Sequence, residues 1–291
     1  MPKLSIFTVA APDLTPEELC QAAADAGIAG LEWRCKDTPA ELLAEQPSFW
    51  GHNRCTISPN AGEAEIGRFS RAAREHDRRT IAVTPYLSCG DVEGTEQVMR
   101  LAKRLGASMV RVGVPGYDRS TPYNELFAQA TRYLQEVERL AIEYGLKALV
   151  ETHHATIAPS ASLAHRLVSP FHPDAVGVLY DPGNMVHEGF ENYRMGMELL
   201  GPYLAHVHVK NAGWRSVSPD GTANHLEPVE WKSAWAPIAN GVVPWKQVLR
   251  DLKAVGYDGW FGVEDFSGTF DTRAILRTYA EQMNRWMEEM Q

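Results

Sequence analysis

Hydrophobic and polar positions along this chain divide it into short apolar runs and longer amphipathic stretches. The short runs are rich in β-branched and aromatic residues and end in turn or loop residues, which is typical of buried parallel strands. Their alternation with stretches long enough for a helix predicts an α/β fold with a parallel sheet. About eight strands are expected, and eight close a barrel, so we predict a (β/α)8 TIM barrel in which residues 1–291 form a single domain. The predicted strands are 3–10, 30–34, 80–87, 109–114, 147–151, 176–181, 205–209 and 260–264.

Helix start and stop signals agree with this division. Thr15 is followed by proline and two glutamates, the usual opening of a helix, and Gly27 ends that helix. A short piece at 54–57 is either a strand or a connecting turn. The other predicted helices are 63–76, 93–105, 123–144, 161–168, 192–200 and 272–290.

One stretch does not fit the alternation. Residues 211–240 are rich in Trp, Pro, Ser and Gly and have no clear period. Loops longer than about 15 residues in compact domains are usually functional or disordered. Because Trp214, Trp231 and Trp235 argue against plain disorder, we expect an ordered lid over the barrel mouth or a contact in a homo-oligomer.

Composition narrows the class of protein. The chain has 291 residues, of which 44% are hydrophobic and 22% charged, a usual composition for a globular protein. The net charge of −9 argues against a nucleic-acid surface. The four cysteines have no CxxC spacing and suggest reduced thiols, although an even number leaves a disulfide open. With no signal-peptide pattern and no run of 18 apolar residues, we expect a cytoplasmic protein without a membrane span.

Four apolar runs in the second half of the chain each end on a residue that can bind a metal. These residues are Glu151, Asp181, His208 and Glu264. Each carboxylate alone is equally well explained as a cap of the next helix, but four together favour a metal, because unpaired buried charges are costly. Three oxygen ligands and one nitrogen suit Mn²⁺, Mg²⁺ or Co²⁺ better than a structural zinc. His206 lies on the same face of its strand and is expected to support this site or to pack in the core.

Histidines near these strand ends are candidates for substrate binding or proton transfer. His153 and His154 follow Glu151 directly, and a histidine at the barrel mouth can titrate near neutrality and move protons. His187 follows Asp181 on the next loop. For each of the three, an exposed loop histidine is an equally good interpretation.

Two further charged residues are predicted to contact substrate. Glu32, at the end of the second strand, is expected to bind substrate hydroxyls or to form a salt bridge with Arg34 or Arg111. Lys210, two residues after the histidine ligand, is expected to hold a substrate oxygen or to pair with Glu264.

The segments around the four strand ends resemble the xylose-isomerase-like superfamily of barrels. Within it they are similar to the sugar phosphate isomerase/epimerase group, which includes ketose 3-epimerases and inosose dehydratase. The resemblance implies that Glu151, Asp181, His208 and Glu264 bind Mn²⁺, Co²⁺ or Mg²⁺, with Mn²⁺ preferred, and that the two glutamates exchange protons with the sugar carbon. The segments are Val150-Glu151, Leu179-Tyr180-Asp181-Pro182-Gly183-Asn184, Ala205-His206-Val207-His208-Val209-Lys210 and Gly256-Tyr257-Asp258-Gly259-Trp260-Phe261-Gly262-Val263-Glu264.

Three positions depart from the ketose epimerases in the resembled group. Asn184 stands where those enzymes have a histidine, Trp214 where they have an arginine, and Ile157 where they have a glutamate. Asn184 and Trp214 are therefore candidate substrate-binding residues of a different specificity. The His153-His154 pair is closer to the dehydratase and to lyases that act on keto-sugars.

These observations predict an enzyme that removes a proton next to a carbonyl through a metal-stabilised enediolate. We expect an isomerase or epimerase of a small sugar or cyclitol, with Glu151, Glu264 and His154 as catalytic candidates. The alternative is a keto-sugar or cyclitol dehydratase or lyase, similar to inosose dehydratase or to 3-keto-glycoside lyases. An endonuclease of the same superfamily is a remote alternative, because Tyr86-Leu87 and Val114-Pro115 supply no further metal ligands.

Overall fold

The computed structural model describes residues 2–217 and 229–290. Its strands in chain order are β1 (Lys3–Phe7), β2 (Gly30–Cys35), β3 (Thr56–Ile57), β4 (Arg79–Pro85), β5 (Met109–Arg111), β6 (Lys147–Glu151), β7 (Val176–Tyr180), β8 (Leu204–Val209), β9 (Asn211–Ser216), β10 (Trp231–Ala236) and β11 (Trp260–Val263).

Eight of these strands form a closed parallel barrel, as the sequence predicted. The order around the barrel is β1-β2-β4-β5-β6-β7-β8-β11, and the pairing of β11 with β1 closes it. The uncertain piece at 54–57 forms only the two-residue strand β3 beside β2. The barrel is a single domain, and the strands that carry the four candidate ligands lie side by side in the order β6-β7-β8-β11.

Helices connect the strands at nearly all the predicted positions. They are α1 (Pro16–Asp25), α2 (Glu63–Glu75), α3 (Val92–Arg104), α4 (Tyr123–Tyr144), α5 (Ala161–Val168), α6 (Pro182–Glu188), α7 (Tyr193–Leu200), α8 (Trp245–Ala254) and α9 (Thr272–Glu288). Helices α6 and α8 were not predicted. Helix α6 is only seven residues long and opens with Pro-Gly, a pair that also marks turns. Helix α8 follows the aperiodic stretch, although its buried residues have helical spacing.

Local capping explains where several helices begin. Thr15 and Glu18 form a capping box at the start of α1, with the Glu18 side chain accepting from the Thr15 backbone N–H at 2.8 Å. Asp181 caps α6 by accepting from the Asn184 N–H at 2.9 Å. Gly145 ends α4 at φ 67°, a left-handed conformation that favours glycine.

Three strands end two or more residues earlier than predicted. Strand β1 ends at Phe7 rather than Ala10, β4 ends at Pro85 rather than Leu87, and β5 ends at Arg111 rather than Val114. A buried cluster of Ile81, Ala82, Met109, Leu149 and Leu179 packs between the strands. Leu149 and Leu179 lie two residues before Glu151 and Asp181, so each pair shares one face of its strand, with the carboxylate nearer the mouth.

The stretch 211–240 contains more regular structure than the sequence indicated. Strands β9 and β10 pair antiparallel, from Asn211↔Ala236 to Ser216↔Trp231. The register puts Trp214, Trp231 and Trp235 on one face of this hairpin, because directly opposed residues point the same way. Residues 218–228 of the predicted lid lie outside the described residues. Among the helices that the structure describes, none has the length and apolar character needed to cross a membrane.

Candidate active site

The structure brings together the four residues predicted to bind a metal. Glu151 ends β6, Asp181 follows β7, His208 lies on β8 and Glu264 follows β11. All four are buried, and one ligand atom from each lies within 4.8 Å of the others. His208 Nδ1 is 3.6 Å from Glu151 Oε1, 3.8 Å from Asp181 Oδ2 and 3.6 Å from Glu264 Oε2.

The chemistry of this donor set fits a divalent cation. His208 Nδ1 is buried and has no hydrogen-bond partner among the residues that the structure describes. It faces three carboxylates, so a cation between them would satisfy the nitrogen and offset the clustered negative charge. Oxygen-rich sites with one imidazole suit Mn²⁺, Co²⁺ or Mg²⁺.

Two cations, the buried Lys210 and the partly buried Arg111, border the carboxylates. The Lys210 ammonium lies 2.8 Å from Asp181 Oδ2 and also contacts Glu264, as one of its two predicted roles required. Arg111 donates to Glu151 Oε2 at 2.7 Å and to the Pro85 carbonyl at 3.0 Å. From the sequence, Arg111 is expected only as a partner of Glu32, and its pairing with Glu151 was not predicted. The sequence feature that could have indicated this role is the presence of a basic residue within a predicted barrel strand.

These cations control the charge of the two glutamates. Burial opposes ionisation of Glu264, but Lys210 and His208 outweigh it and lower its pKa to about 2. Burial likewise opposes ionisation of Glu151, and Arg111 holds its pKa well below the ordinary value. For Asp181, burial dominates and raises the pKa despite the neighbouring Lys210. Both glutamates are therefore ionised near neutral pH and available as ligands or bases.

Glu32 does not occupy the predicted substrate-binding position. It is 1% exposed, and its Oε2 is 2.9 Å from His208 Nε2, on the side of the imidazole away from the three carboxylates. Its Oε1 is 3.0 Å from His206 Nε2. Neither Arg34 nor Arg111 pairs with it: Arg34 bonds Thr56 and the Trp50 carbonyl, and Arg111 bonds Glu151. Glu32 is therefore enclosed behind His208 and is held by contacts within the protein.

A cavity of about 550 Å³ opens above the candidate metal ligands. Its polar lining residues include both glutamates, Lys210, Arg111 and Asn184, together with His153 and His154. The rest of the lining is largely apolar. The apolar and aromatic lining residues include Phe7, Trp50, Pro85, Tyr86, Leu87, Val112, Val114, Trp235 and Phe266.

Three histidines form a stack beside the cavity. The ring centroids of His153 and His154 are 4.4 Å apart, and those of His154 and His187 are 4.3 Å apart. Burial, together with the positive charge near it, lowers the pKa of His154 to about 4, so its imidazole is neutral at physiological pH. His187 does not line the cavity and instead bonds the Ser233 hydroxyl at 2.7 Å. The role of His187 in substrate binding stays a prediction, and the contact seen in the structure is to the hairpin.

Asn184 and Trp214, which were also predicted to contact substrate, differ in whether they line the cavity. Asn184 lines the cavity, and its amide donates to Glu151 Oε1 at 3.1 Å. Trp214 does not line the cavity: it is 45% exposed and its indole donates to the Val186 carbonyl at 2.8 Å. Trp235, on the same face of the hairpin, lines the cavity instead.

Comparison with known proteins agrees with this architecture. The family model described as a xylose isomerase-like TIM barrel matches residues 20–290. An inosose dehydratase from Geobacillus thermodenitrificans is 28% identical over 133 residues, which cover 45% of this chain and 44% of the relative. The chain thus matches less than half the length of this curated relative.

Solved structures are similar over almost the whole chain. A D-tagatose 3-epimerase-like protein superposes with a TM-score of 0.70 at 17% identity, covering 98% of this chain and 97% of that one. An IOLI protein with a binding zinc atom superposes with a TM-score of 0.72 at 14% identity, covering 99% and 98%. At these identities the likeness shows a shared fold.

Proposed function

Because the chain belongs to the xylose isomerase-like TIM barrel family, we propose that it is a divalent-metal-dependent enzyme that removes a proton next to a carbonyl group of a small sugar or cyclitol. The observation that carries this proposal is the convergence of Glu151, Asp181, His208 and Glu264 at the base of an open cavity. Mn²⁺ is the preferred ion, and Co²⁺ or Mg²⁺ would bind the same donors. Such an ion supplies a Lewis acid that stabilises the negative charge of an enediolate.

The protein's own residues supply the proton transfer. Glu151 and Glu264 are ionised and both line the cavity. One of them takes the proton from the carbon and becomes protonated. For return of a proton from the opposite face, the other glutamate first takes up a proton from water in the open cavity and then donates it. For return at the neighbouring carbon, the first glutamate donates the proton that it removed. Those two outcomes are epimerisation and isomerisation. His153, Asn184 and Lys210 line the same cavity and would hold substrate oxygens.

A dehydratase or lyase is the second candidate. It is supported by the inosose dehydratase relatives and by His154, whose neutral imidazole lines the cavity. In this reaction His154 takes the proton from the carbon next to the carbonyl. The electron pair of that C–H bond forms a C=C bond, the bond from the next carbon to its oxygen breaks, and the proton passes to the departing oxygen.

Incubation in D₂O with Mn²⁺ and a panel of keto-sugars and keto-cyclitols tests the shared first step. We expect deuterium at the carbon next to the carbonyl, measured by NMR and mass spectrometry. Epimerised or isomerised products would support the first candidate, and unsaturated products would support the second. Turnover of a panel member without exchange of that hydrogen would contradict the proposal.

We predict that Trp235 is the residue of the hairpin that covers the barrel mouth. Its ring lies 4.7 Å from His187 and 5.8 Å from Phe266, and it lines the cavity. Trp235→Ala should lower kcat by about 10- to 100-fold, because water would enter and substrate would be held less firmly. The measurement is steady-state kinetics together with metal affinity, which should not change.

Trp231→Ala is the matched control for this lid. Trp231 lies on the same hairpin face but is 57% exposed and does not line the cavity. Its kcat should stay near that of the wild type, and equal losses in both variants would contradict the lid role. The exposed Trp214 and Trp231 remain candidates for the homo-oligomer contact, which sedimentation of a Trp214→Ala variant would test.

A further inference from the structure

Glu32 lies behind the candidate metal site and contacts both histidines of β8. Its Oε2 accepts from His208 Nε2 at 2.9 Å, and its Oε1 accepts from the Ser5 hydroxyl at 2.8 Å. The second histidine, His206, lies 3.0 Å from the same Oε1. We propose that Glu32 is a positioning residue that fixes the tautomer and orientation of His208 for metal binding. The inference rests on the proposed metal-dependent function.

Hydrogen-bond chemistry determines which nitrogen of His208 binds the metal. An ionised carboxylate only accepts hydrogen bonds, so His208 Nε2 must carry a hydrogen to bond Glu32. In the neutral imidazole, Nδ1 then has a free lone pair, and Nδ1 is the atom that faces Glu151, Asp181 and Glu264. A carboxylate that accepts a hydrogen bond from Nε2 also makes Nδ1 of the imidazole a stronger metal ligand.

The backbone of β11 leaves room for the Glu32 carboxylate at Gly262. Gly262 on β11 is opposite His208 in the strand register. A Cβ at position 262 would collide with Glu32 Oε1 and approach His206 Nε2 to 3.2 Å. Glycine therefore allows the carboxylate to reach under the histidines.

The flat face of the imidazole is held as well. The Phe7 ring stacks on His208 with centroids 5.8 Å apart and an interplanar angle of 17°. The register places Phe7 beside Glu32, on neighbouring strands β1 and β2. Glu32 thus fixes the edge of the imidazole and Phe7 fixes its face. Together these contacts hold Nδ1 toward the three carboxylates.

A second metal ion between Glu32, His206 and His208 is the competing explanation, since the three could supply ligand atoms. The contacts favour hydrogen bonds instead. His208 Nε2 bonds Glu32 Oε2 at 2.9 Å, which is a hydrogen-bond length, and the Ser5 hydroxyl already donates to the other oxygen of this carboxylate. The three side chains are also enclosed, whereas the site at Nδ1 opens to the cavity.

Mn²⁺ titration of the full, EDTA-stripped chain by calorimetry tests the inference. The wild type should bind one ion per chain. Glu32→Gln should weaken Mn²⁺ affinity by about 10- to 100-fold, the usual effect of losing a carboxylate behind a histidine ligand. Gly262→Ala, which keeps the carboxylate but displaces it, should weaken affinity in the same direction. The visible spectrum of bound Co²⁺ should change in both variants, which a purely structural role would not cause.

Ser5→Ala is the matched control, because it removes one hydrogen bond to Glu32 and leaves the bond to His208. It should bind Mn²⁺ like the wild type, and thermal unfolding of each stripped variant should show that the fold is kept. Wild-type affinity in Glu32→Gln, or an equal loss in Ser5→Ala, would overturn the positioning role. Two ions in the wild type and one in Glu32→Gln would make Glu32 a ligand instead. Absence of Mn²⁺ binding in the wild type would defeat the proposed function itself.

Discussion

Removal of divalent ions with EDTA should abolish turnover, and addition of Mn²⁺ or Co²⁺ should restore it. The reason is that three buried carboxylates converge on His208 Nδ1, an atom without another partner in the described part of the chain. Loss of a Lewis acid removes several kcal/mol of charge stabilisation, so we expect kcat to fall by about 10³-fold or more. Asp181→Ala and His208→Ala should lose metal affinity and activity together, as measured by calorimetry and steady-state kinetics.

Asp265→Asn is the control for these two variants. Asp265 is a buried acid next to Glu264 in the chain, but its carboxylate accepts from the Ser267 N–H at 2.8 Å and does not belong to the ligand cluster. It should bind Mn²⁺ like the wild type. Full activity of the chelated, metal-free wild type would refute the metal requirement.

The fold and the clustering of the four ligands could be predicted because both follow from chain order. Parallel barrel strands that alternate with helices all end at the same face, so residues at consecutive strand ends must meet there. Glu151, Asp181 and His208 end three consecutive barrel strands, and Glu264 ends the next. No side-chain contact had to be known for that inference.

Contacts between distant residues could not be predicted in this way. Glu32 and His208 are 176 positions apart, and only the closure of the barrel shows that one lies behind the other. Arg111 pairs with Glu151 because β5 and β6 are neighbours in a particular register. The pairing of β9 with β10 likewise determines which tryptophan lies near the cavity. This pairing could not be predicted, because residues 211–240 have no periodic pattern in the sequence.

Replacement of the two candidate acid–base residues should separate proton transfer from metal binding. Glu→Gln keeps the size of the side chain and one possible ligand oxygen but removes the base. We expect at least one of Glu151→Gln and Glu264→Gln to retain Mn²⁺ and to lose about 10²-fold or more in kcat, the usual scale for general acid–base catalysis. Calorimetry would establish that the ion is bound, and deuterium exchange in D₂O would show which variant still removes the proton.

The His154→Gln variant tests whether the two glutamates or His154 transfer the proton. His154 lines the same cavity as Glu151 and Glu264 but is not among the clustered ligands, so this variant should keep its Mn²⁺ affinity. If the glutamates carry the protons, His154→Gln should lose less activity than the more impaired glutamine variant. A loss as large as theirs would move proton transfer to His154 and favour elimination, because one neutral base can both take the proton and protonate the departing oxygen. Near-normal turnover in both glutamine variants with Mn²⁺ bound would rule out the two-glutamate mechanism.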